Sequence, residues 1–320
     1  MLGLIGCGGA VGSPAPRAEP APAPLGPLAL LVPSQARLVV EARPRALLDA
    51  PAFRRAIDVV APPARRAEVA RRTGVEATGV RELVVAELPG GGFLVLVRGD
   101  LDAPSVVRRI ARRMAPIVVS ADSPVVRRGG MVGRARREAI ALRGDVLAVA
   151  GGEGAETTVA ALARRARAPA GEGLEQAGAL GEGLPLALRA EWAAAPLRLH
   201  APRPLELPPG SGASVLLARQ RALCVAVAAE DDEHLRVAVD LRGEFPEGAE
   251  QNFRALASSL AASDMGAALG LREGLASLRV QAEQRRVVVG MEIPARTLAR
   301  GLVLLFGADV QAVLEAAGLA

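Results

Sequence analysis

The chain has 320 residues, a formal net charge of +5, and 51% hydrophobic residues. That apolar share excludes a globally disordered chain, and the length suits two domains better than one small core. Only 2% of the residues are aromatic, which leaves few side chains for stacking on bases, so we expect no nucleic-acid partner. All 39 basic residues are arginine. This bias is typical of a GC-rich genome, so arginine content alone does not indicate a binding role.

The chain begins with a cysteine-containing motif followed by a proline-rich stretch. Cys7 ends the run Leu4-Ile5-Gly6-Cys7, and residues 8–28 contain proline at alternate or near-alternate positions among alanine and glycine. Such a stretch cannot pack a core and behaves as a semi-extended spacer. The motif and its spacer, a small part of the chain, resemble the lipobox and tether of bacterial envelope lipoproteins.

This resemblance implies that Cys7 carries a lipid anchor and that the protein acts outside the cytoplasm. Gly8 follows the cysteine where an acidic residue would signal retention at the inner membrane, which implies the outer membrane, facing the periplasm. Met1–Gly6 is too short for a signal segment, which needs a basic region and about 7–15 apolar residues. We expect the missing leader to be encoded upstream of Met1. The alternative is a chance match of four residues.

Two later stretches, 81–101 and 221–245, share one pattern. Each contains two apolar, strand-like runs joined by a short turn, at 89–92 in the first and at 230–233 in the second. Both turns have the composition of hairpin connections. Each stretch ends on arginine, glycine, an acidic residue and an apolar residue. The shared order predicts two related hairpins.

An amphipathic helix follows each hairpin, because apolar residues recur at helical spacing over 106–114 and 253–260. Strand-rich sequence follows both helices, at 139–150 and 278–293. Strands joined by short turns form antiparallel sheets. The sequence therefore predicts an α+β fold of two tandem, duplicated units, each an antiparallel β-sheet with helices packed on one face.

Four segments follow from this reading. They are the lipobox and disordered tether at 1–32, a first unit at 33–168, a linker at 169–183 and a second unit at 184–320. Within the first unit, Leu94-Val95-Leu96-Val97 is apolar throughout, which predicts a strand covered on both faces. Whether the two sheets merge edge to edge or form separate lobes stays open at this stage.

Charge is divided unequally between the units. Residues 33–168 hold 24 arginines and 14 acidic residues, whereas residues 184–310 hold 14 arginines and 15 acidic residues. In an envelope protein, a basic unit suits anionic lipid, lipopolysaccharide or an acidic envelope protein as partner. The alternative is an ordinary solvated surface.

A glycine-rich loop at 151–158 follows a strand-like run, as a phosphate-binding loop would. It lacks the Gly-Lys-Ser/Thr ending of a P-loop, and Glu153 and Glu156 would repel a phosphate. Thr157 or Thr158, acting as the N-cap of a helix, is the simpler explanation. We therefore expect no nucleotide cofactor.

Other candidate residues also have structural explanations. The two histidines, His200 and His234, lack the spacing of a zinc site. Cys224 lies in a strand-like run and is expected to be a small buried hydrophobe. Trp192 is expected to pack in a core, and Arg98-Gly99-Asp100 to be a strand end rather than an adhesion motif. The sequence predicts no metal and no cofactor.

We therefore expect a non-enzymatic, membrane-tethered envelope lipoprotein with a binding or assembly role, in which Cys7 is the only assigned functional residue. A periplasmic carrier of a lipid or other apolar ligand is the alternative, and it requires a continuous apolar cavity. A third possibility is an enzyme of unknown class, which requires a cleft joining His200 or His234 to a carboxylate.

Overall fold

The computed structural model of the protein describes residues 27–111, 115–116, 127–132, 135–142, 145–167, 195–202, 204 and 219–304. All twelve strands of these residues belong to one antiparallel sheet, in the order β11-β12-β10-β9-β8-β1-β2-β3-β7-β6-β5-β4. The strands are β1 Leu38–Ala42, β2 Val80–Leu88, β3 Gly92–Gly99, β4 Ala115–Pro116, β5 Arg127–Val132, β6 Ala135–Leu142, β7 Val146–Gly151, β8 Leu197–Ala201, β9 Gln220–Ala229, β10 His234–Gly243, β11 Arg279–Glu283 and β12 Arg286–Pro294.

Helices connect the strands and confirm the α+β class. They are α1 Pro44–Asp49, α2 Pro51–Val60, α3 Pro63–Thr73, α4 Ala103–Ala111, α5 Ala155–Arg167, α6 Ala249–Ala262, α7 Asp264–Ala268 and α8 Leu271–Gly274. Residues 295–304 are also helical. Helices α1, α2 and α3 all begin at proline, whose fixed φ suits the first helical position. Gly74 ends α3 with a φ of 78°, a left-handed conformation that glycine adopts without steric cost.

Both predicted hairpins are confirmed, as β2–β3 and β9–β10. The helices predicted after them are α4 and α6, and the strand-rich stretches are β6–β7 and β11–β12. Four strands were not recognised in the sequence: β4 and β5, and the central strands β1 and β8. Strands β1 and β8 pair with each other antiparallel, with Val39 opposite His200 and Glu41 opposite Arg198. This pairing resolves the question left open by the sequence, because it joins the two halves into one continuous sheet.

The front face of the sheet is defined here by the cross-strand set Glu41, Val84 and Leu96, and the back face by Ala42, Leu83 and Val97. In the first half, α5 packs on the front face and α4 packs on the back face. The prediction that helices cover one face is therefore wrong for this half. The physical reason is the predicted two-sided burial of β3, which is apolar at every position from 94 to 97.

The second half packs α6 against the back face. Phe245 and Phe253 meet edge to face, with ring centroids 5.8 Å apart, over Leu241, Val280 and Val287. Aromatic pairs of this geometry add to the free energy gained from burial alone. A third cluster joins the halves, because α1 and α2 pack on residues of β9 and β10.

The two halves have the same strand order on either side of the β1–β8 seam. Outward from the seam, β1-β2-β3-β7-β6 corresponds to β8-β9-β10-β12-β11. The register also corresponds. Glu41 of β1 lies opposite Val84 of the first hairpin, and His200 of β8 lies opposite Cys224, the corresponding position of the second hairpin. Val84 pairs in turn with Leu96, and Cys224 with Asp240. Among the described residues, strands β4 and β5 extend the first half and have no counterpart in the second.

The repeated Arg-Gly-acid sequence has the same structure in both halves. A Cβ atom on Gly99 would lie 2.2 Å from the Gly79 carbonyl oxygen, and a Cβ atom on Gly243 would lie 2.3 Å from that of Arg219. The next residue donates its N–H to that same carbonyl oxygen, from Asp100 in one half and from Glu244 in the other. Glycine is therefore required at both positions by close backbone approach. Gly99 is also the last residue of β3, which confirms that Arg98-Gly99-Asp100 lies at a strand end.

The folded body begins earlier than the predicted boundary at residue 33. A short 3-10 helix, Leu28–Leu31, buries Leu28, Leu31 and the following Val32 in the front-face core. The lipobox and the 169–183 linker lie outside the described residues. Within the described residues, no helix combines the length and the apolar character needed to cross a bilayer.

Candidate functional site: a polar cleft at the seam

A cleft of about 390 Å³ opens where the two halves meet. Antiparallel pairing brings four strand ends together there: the ends of β1 and β3 and the starts of β2 and β8. A bulge between Val80 and Glu82 leaves Arg81 outside the regular register of β2. The described lining residues are Glu41, Ala42, Arg43, Arg81, Glu82, Arg98, Ala195, Pro196 and Arg198.

Glu82 forms one wall of the cleft together with Arg98. Arg98 Nη1 donates to Glu82 Oε2 at 2.9 Å, and the Leu28 backbone N–H donates to Oε1 at 2.8 Å. Both carboxylate oxygens of Glu82 therefore accept hydrogen bonds. The second of these bonds attaches the 3-10 helix Leu28–Leu31 to the edge of the cleft.

Glu41 forms the base of the cleft. Arg198 Nη2 donates to Glu41 Oε2 at 2.5 Å, and His200 Nε2 lies 3.1 Å from Oε1. Glu41 is 8% exposed and His200 is 1% exposed. The His200 contact is close but poorly directed, since neither ring nitrogen of His200 makes a well-formed hydrogen bond within the part of the chain that is described. His200 lies behind Glu41 and is absent from the described lining.

A second polar cluster continues across the front face from His200. Asp240 is fully buried, and Arg286 Nη2 donates to its Oδ2 at 2.9 Å. Arg242 Nε lies 3.3 Å from Asp240 Oδ1. One carboxylate thus lies between two guanidinium groups, as a buried charge requires.

Cys224 lies between the two polar clusters, opposite His200 on one side and Asp240 on the other. Burial is the larger cause and the negative charge of Asp240 the second, and together they raise the pKa of its thiol to about 12. The thiol therefore stays protonated at neutral pH and is a poor nucleophile. The prediction that Cys224 is a small buried residue is confirmed by its complete burial.

His234 is the first residue of β10, directly after the β9–β10 turn, and is not among the described residues that line the cleft. Its Nδ1 is 2.9 Å from Asp231 Oδ2, and both side chains are substantially exposed. Backbone N–H groups of Glu233 and His234 lower the pKa of Asp231 to about 2. Among the described residues, no group of three His, Cys, Asp or Glu side chains could hold a metal ion.

The 151–158 loop leads into α5. The prediction that Thr157 or Thr158 caps this helix is wrong, because α5 begins at Ala155 and Thr157 Oγ1 donates to the Gly154 carbonyl oxygen. Asp102 does cap α4, since the Ser105 hydroxyl and backbone N–H both donate to it, and these bonds lower the Asp102 pKa. Cys7 and Trp192 lie outside the described residues.

The described lining of the cleft offers a ligand charged side chains and hydrogen-bond donors. No serine, threonine or cysteine is among its described lining residues, so this set offers no hydroxyl or thiol nucleophile. Sequence reasoning missed Glu41 and did not place His200 beside it. The only local signal was a single polar residue within a short apolar run, Leu38-Val39-Val40-Glu41-Ala42 in the first half.

The chain was also compared with known proteins. No protein-family model matches it, and no curated protein or solved structure matches it significantly.

Proposed function

We propose that this protein is a non-enzymatic lipoprotein of the bacterial cell envelope, anchored through Cys7 to the outer membrane and facing the periplasm. The support is the lipobox-like run Leu4–Cys7 and the spacer that follows it. Residues 8–26, which precede the first described residue, can span at most roughly 60–70 Å if fully extended. The anchor therefore holds the body within reach of the membrane surface.

We further propose a binding role at an anionic surface, carried by the arginines of helices α3 and α4, which pack against each other. These two helices, called here the α3–α4 face, hold six arginines and one glutamate: Arg65, Arg66, Arg71, Arg72, Arg108, Arg109 and Glu68. Arg71, Arg108 and Arg109 are exposed. Glu68 pairs with Arg71 and Arg72, and Arg66 pairs with Asp58 of α2. The arginines still outnumber these two acidic residues, so the face is net positive.

The net positive charge of the α3–α4 face is the observation that supports the binding proposal. Near a membrane with anionic lipid, each arginine contributes about 1 kcal/mol of electrostatic attraction. The cost of bringing the body to the surface is reduced by the anchor, which raises its effective concentration there. Lipopolysaccharide phosphates would supply the same negative charge as phospholipid headgroups.

Mass spectrometry of protein from its bacterial host tests the anchor. We expect Cys7 to be the first residue and to carry lipid, and the Cys7→Ser variant to leave the membrane fraction. An unmodified thiol with residues 1–6 retained would contradict the proposal. An in-frame basic and apolar leader upstream of Met1 is a second expected result.

Vesicle sedimentation tests the surface role. We expect Arg71→Gln with Arg109→Gln, in the Cys7→Ser background, to weaken binding to phosphatidylglycerol vesicles by roughly tenfold or more, at about 1 kcal/mol for each arginine. The matched control is Arg279→Gln with Arg285→Gln, two exposed arginines of the second half. Equal loss in both double variants would refute a role for the α3–α4 face.

A periplasmic carrier of a lipid or other apolar ligand is the second candidate. Its support is the aromatic-poor, aliphatic character of the strands, which suits acyl chains. The described cleft weighs against it, because its lining includes four arginines and two glutamates. Lipid that remains bound through purification of the Cys7→Ser protein would favour the carrier.

We also propose that the two halves arose by duplication of one unit. Support comes from the matching strand order, the matching registers around Val84 and Cys224, and the Arg-Gly-acid corners. Ion pairs repeat as well, since Arg81 faces Asp100 and Arg221 pairs with Glu244. Separate expression of the halves tests whether each folds as a unit.

A further inference from the structure

We propose that the seam cleft is a binding site for a phosphate group carried by a small molecule or by a lipid headgroup. This inference goes beyond the tethering function and does not depend on Cys7 or on the α3–α4 face. The described lining of the cleft holds four arginines and two glutamates, a formal charge of +2. A phosphate monoester near neutral pH carries a charge close to −2, so the two charges match.

The two carboxylates of the cleft are engaged by its own walls. Glu82 accepts from Arg98 and from the Leu28 N–H, and Glu41 accepts from Arg198 while its other oxygen faces His200. These bonds fix the orientation of Arg98 and Arg198 without closing the cleft. The result is a rigid base on which a ligand can be oriented.

Arg81 supplies positive charge at the mouth of the cleft. Its nearest acidic partners, Asp100 and Asp145, lie 3.8 and 3.6 Å away, and both are about half exposed or more. Such long, solvated ion pairs contribute little and exchange readily. The planar guanidinium group, in contrast, can donate two parallel N–H hydrogen bonds to two oxygens of one phosphate group, a bidentate interaction.

Arg43 contributes from the end of β1. Its Nη2 atom donates to the Ala195 carbonyl oxygen at 2.9 Å, which holds the side chain across the seam between the halves. The site is therefore built from both halves, with Arg43 and Arg81 from the first and Arg198 from the second. A volume of about 390 Å³ lies in the lower part of the range for small-molecule sites.

The hairpin of the second half provides a matched control. Arg221 occupies the hairpin position that corresponds to Arg81 and pairs with Glu244 as Arg81 faces Asp100. Arg221 is absent from the described lining of the cleft. Any general effect of removing one hairpin arginine should therefore be equal in the two variants.

The test is calorimetric titration of the full chain carrying Cys7→Ser with inorganic phosphate and with glycerol phosphate. We expect saturable binding in the micromolar to millimolar range, weakened about tenfold or more by Arg81→Gln, because a charge-assisted hydrogen bond is lost. Arg221→Gln should bind as the parent does. Arg81 is half exposed, so its replacement should not prevent folding, and Arg43→Gln is a second variant with the same expected loss.

Vesicles containing phosphatidic acid identify the source of the phosphate group. They are tested in the Arg71→Gln, Arg109→Gln background, in which binding through the α3–α4 face is weakened. Binding of these vesicles but not of free phosphates, weakened further by Arg81→Gln and unchanged by Arg221→Gln, supports the site and assigns it to a lipid headgroup. Binding of free glycerol phosphate assigns it to a soluble ligand. Equal weakening in both variants, or no binding of either probe, overturns the proposal.

Discussion

Asp240→Asn should destabilise the protein, because it removes the charge at the centre of a buried cluster while keeping the side-chain shape. Asp240 is fully buried between Arg286 and Arg242, whose side chains are 24% and 29% exposed. Removing one partner of a fully buried ion pair costs about 3–5 kcal/mol. Since both arginines retain access to water, we expect a smaller loss of about 2–3 kcal/mol in the free energy of unfolding.

Urea denaturation followed by circular dichroism measures this loss. The control is Cys224→Val, since valine occupies the corresponding position 84 in the first half, and we expect it to change the free energy of unfolding by less than about 1.5 kcal/mol. Loss of less than about 0.5 kcal/mol in Asp240→Asn, a size typical of surface substitutions, would refute the argument that this carboxylate compensates the two arginines.

Three further results are expected. Gly243→Ala should lower the free energy of unfolding by about 1–3 kcal/mol, because its Cβ would lie 2.3 Å from the Arg219 carbonyl oxygen. The control Gly290→Ala, whose Cβ would have nothing within 4 Å, should lower it by less than about 1 kcal/mol. Equal urea midpoints for the two variants would contradict this. In the Cys7→Ser background, Cys224 should resist alkylation at pH 8 until the protein unfolds, since its pKa is raised to about 12; rapid labelling of the native protein would show that the site opens. Asp231 has its pKa lowered from 3.8 to about 2, so its stabilising contribution is present above pH 4 and is lost as the pH falls toward 2. Acid titration of wild type against Asp231→Asn should show their difference in stability shrinking over that range, and a constant difference would count against the assignment.

The parts of the fold that local sequence determines were predictable. Hairpins β2–β3 and β9–β10 have apolar runs and turn residues within a few positions, and α4 and α6 have clear helical periodicity. Strands β1 and β8 have neither a turn nor a long pattern, with only five residues each. Their strand identity depends on pairing between positions such as Val39 and His200, which no local window contains.

The candidate site could not be predicted from the sequence for the same reason, because its residues are distant along the chain and meet only through strand pairing. Glu41 is the single polar residue of β1, and His200 alternates with Arg198 in β8. Such residues usually form hydrogen bonds or ion pairs with close neighbours and do not by themselves indicate a site. Only the antiparallel pairing of the seam brings them within 3.1 Å. Arg81 was treated as part of a hairpin, and the bulge that directs it to the cleft depends on the register of β2 with β3.

The pairing of β1 with β8 has a consequence for a half expressed alone. Val40 lies opposite Leu199 at the centre of this pairing, and the contacts on either side of that point correspond by an approximate two-fold rotation. An isolated first half would present β1 as an open, hydrogen-bonding edge, which is a template for another chain. Because a two-fold arrangement is self-complementary, two copies of one half could associate through β1 and rebuild the broad sheet as a homodimer.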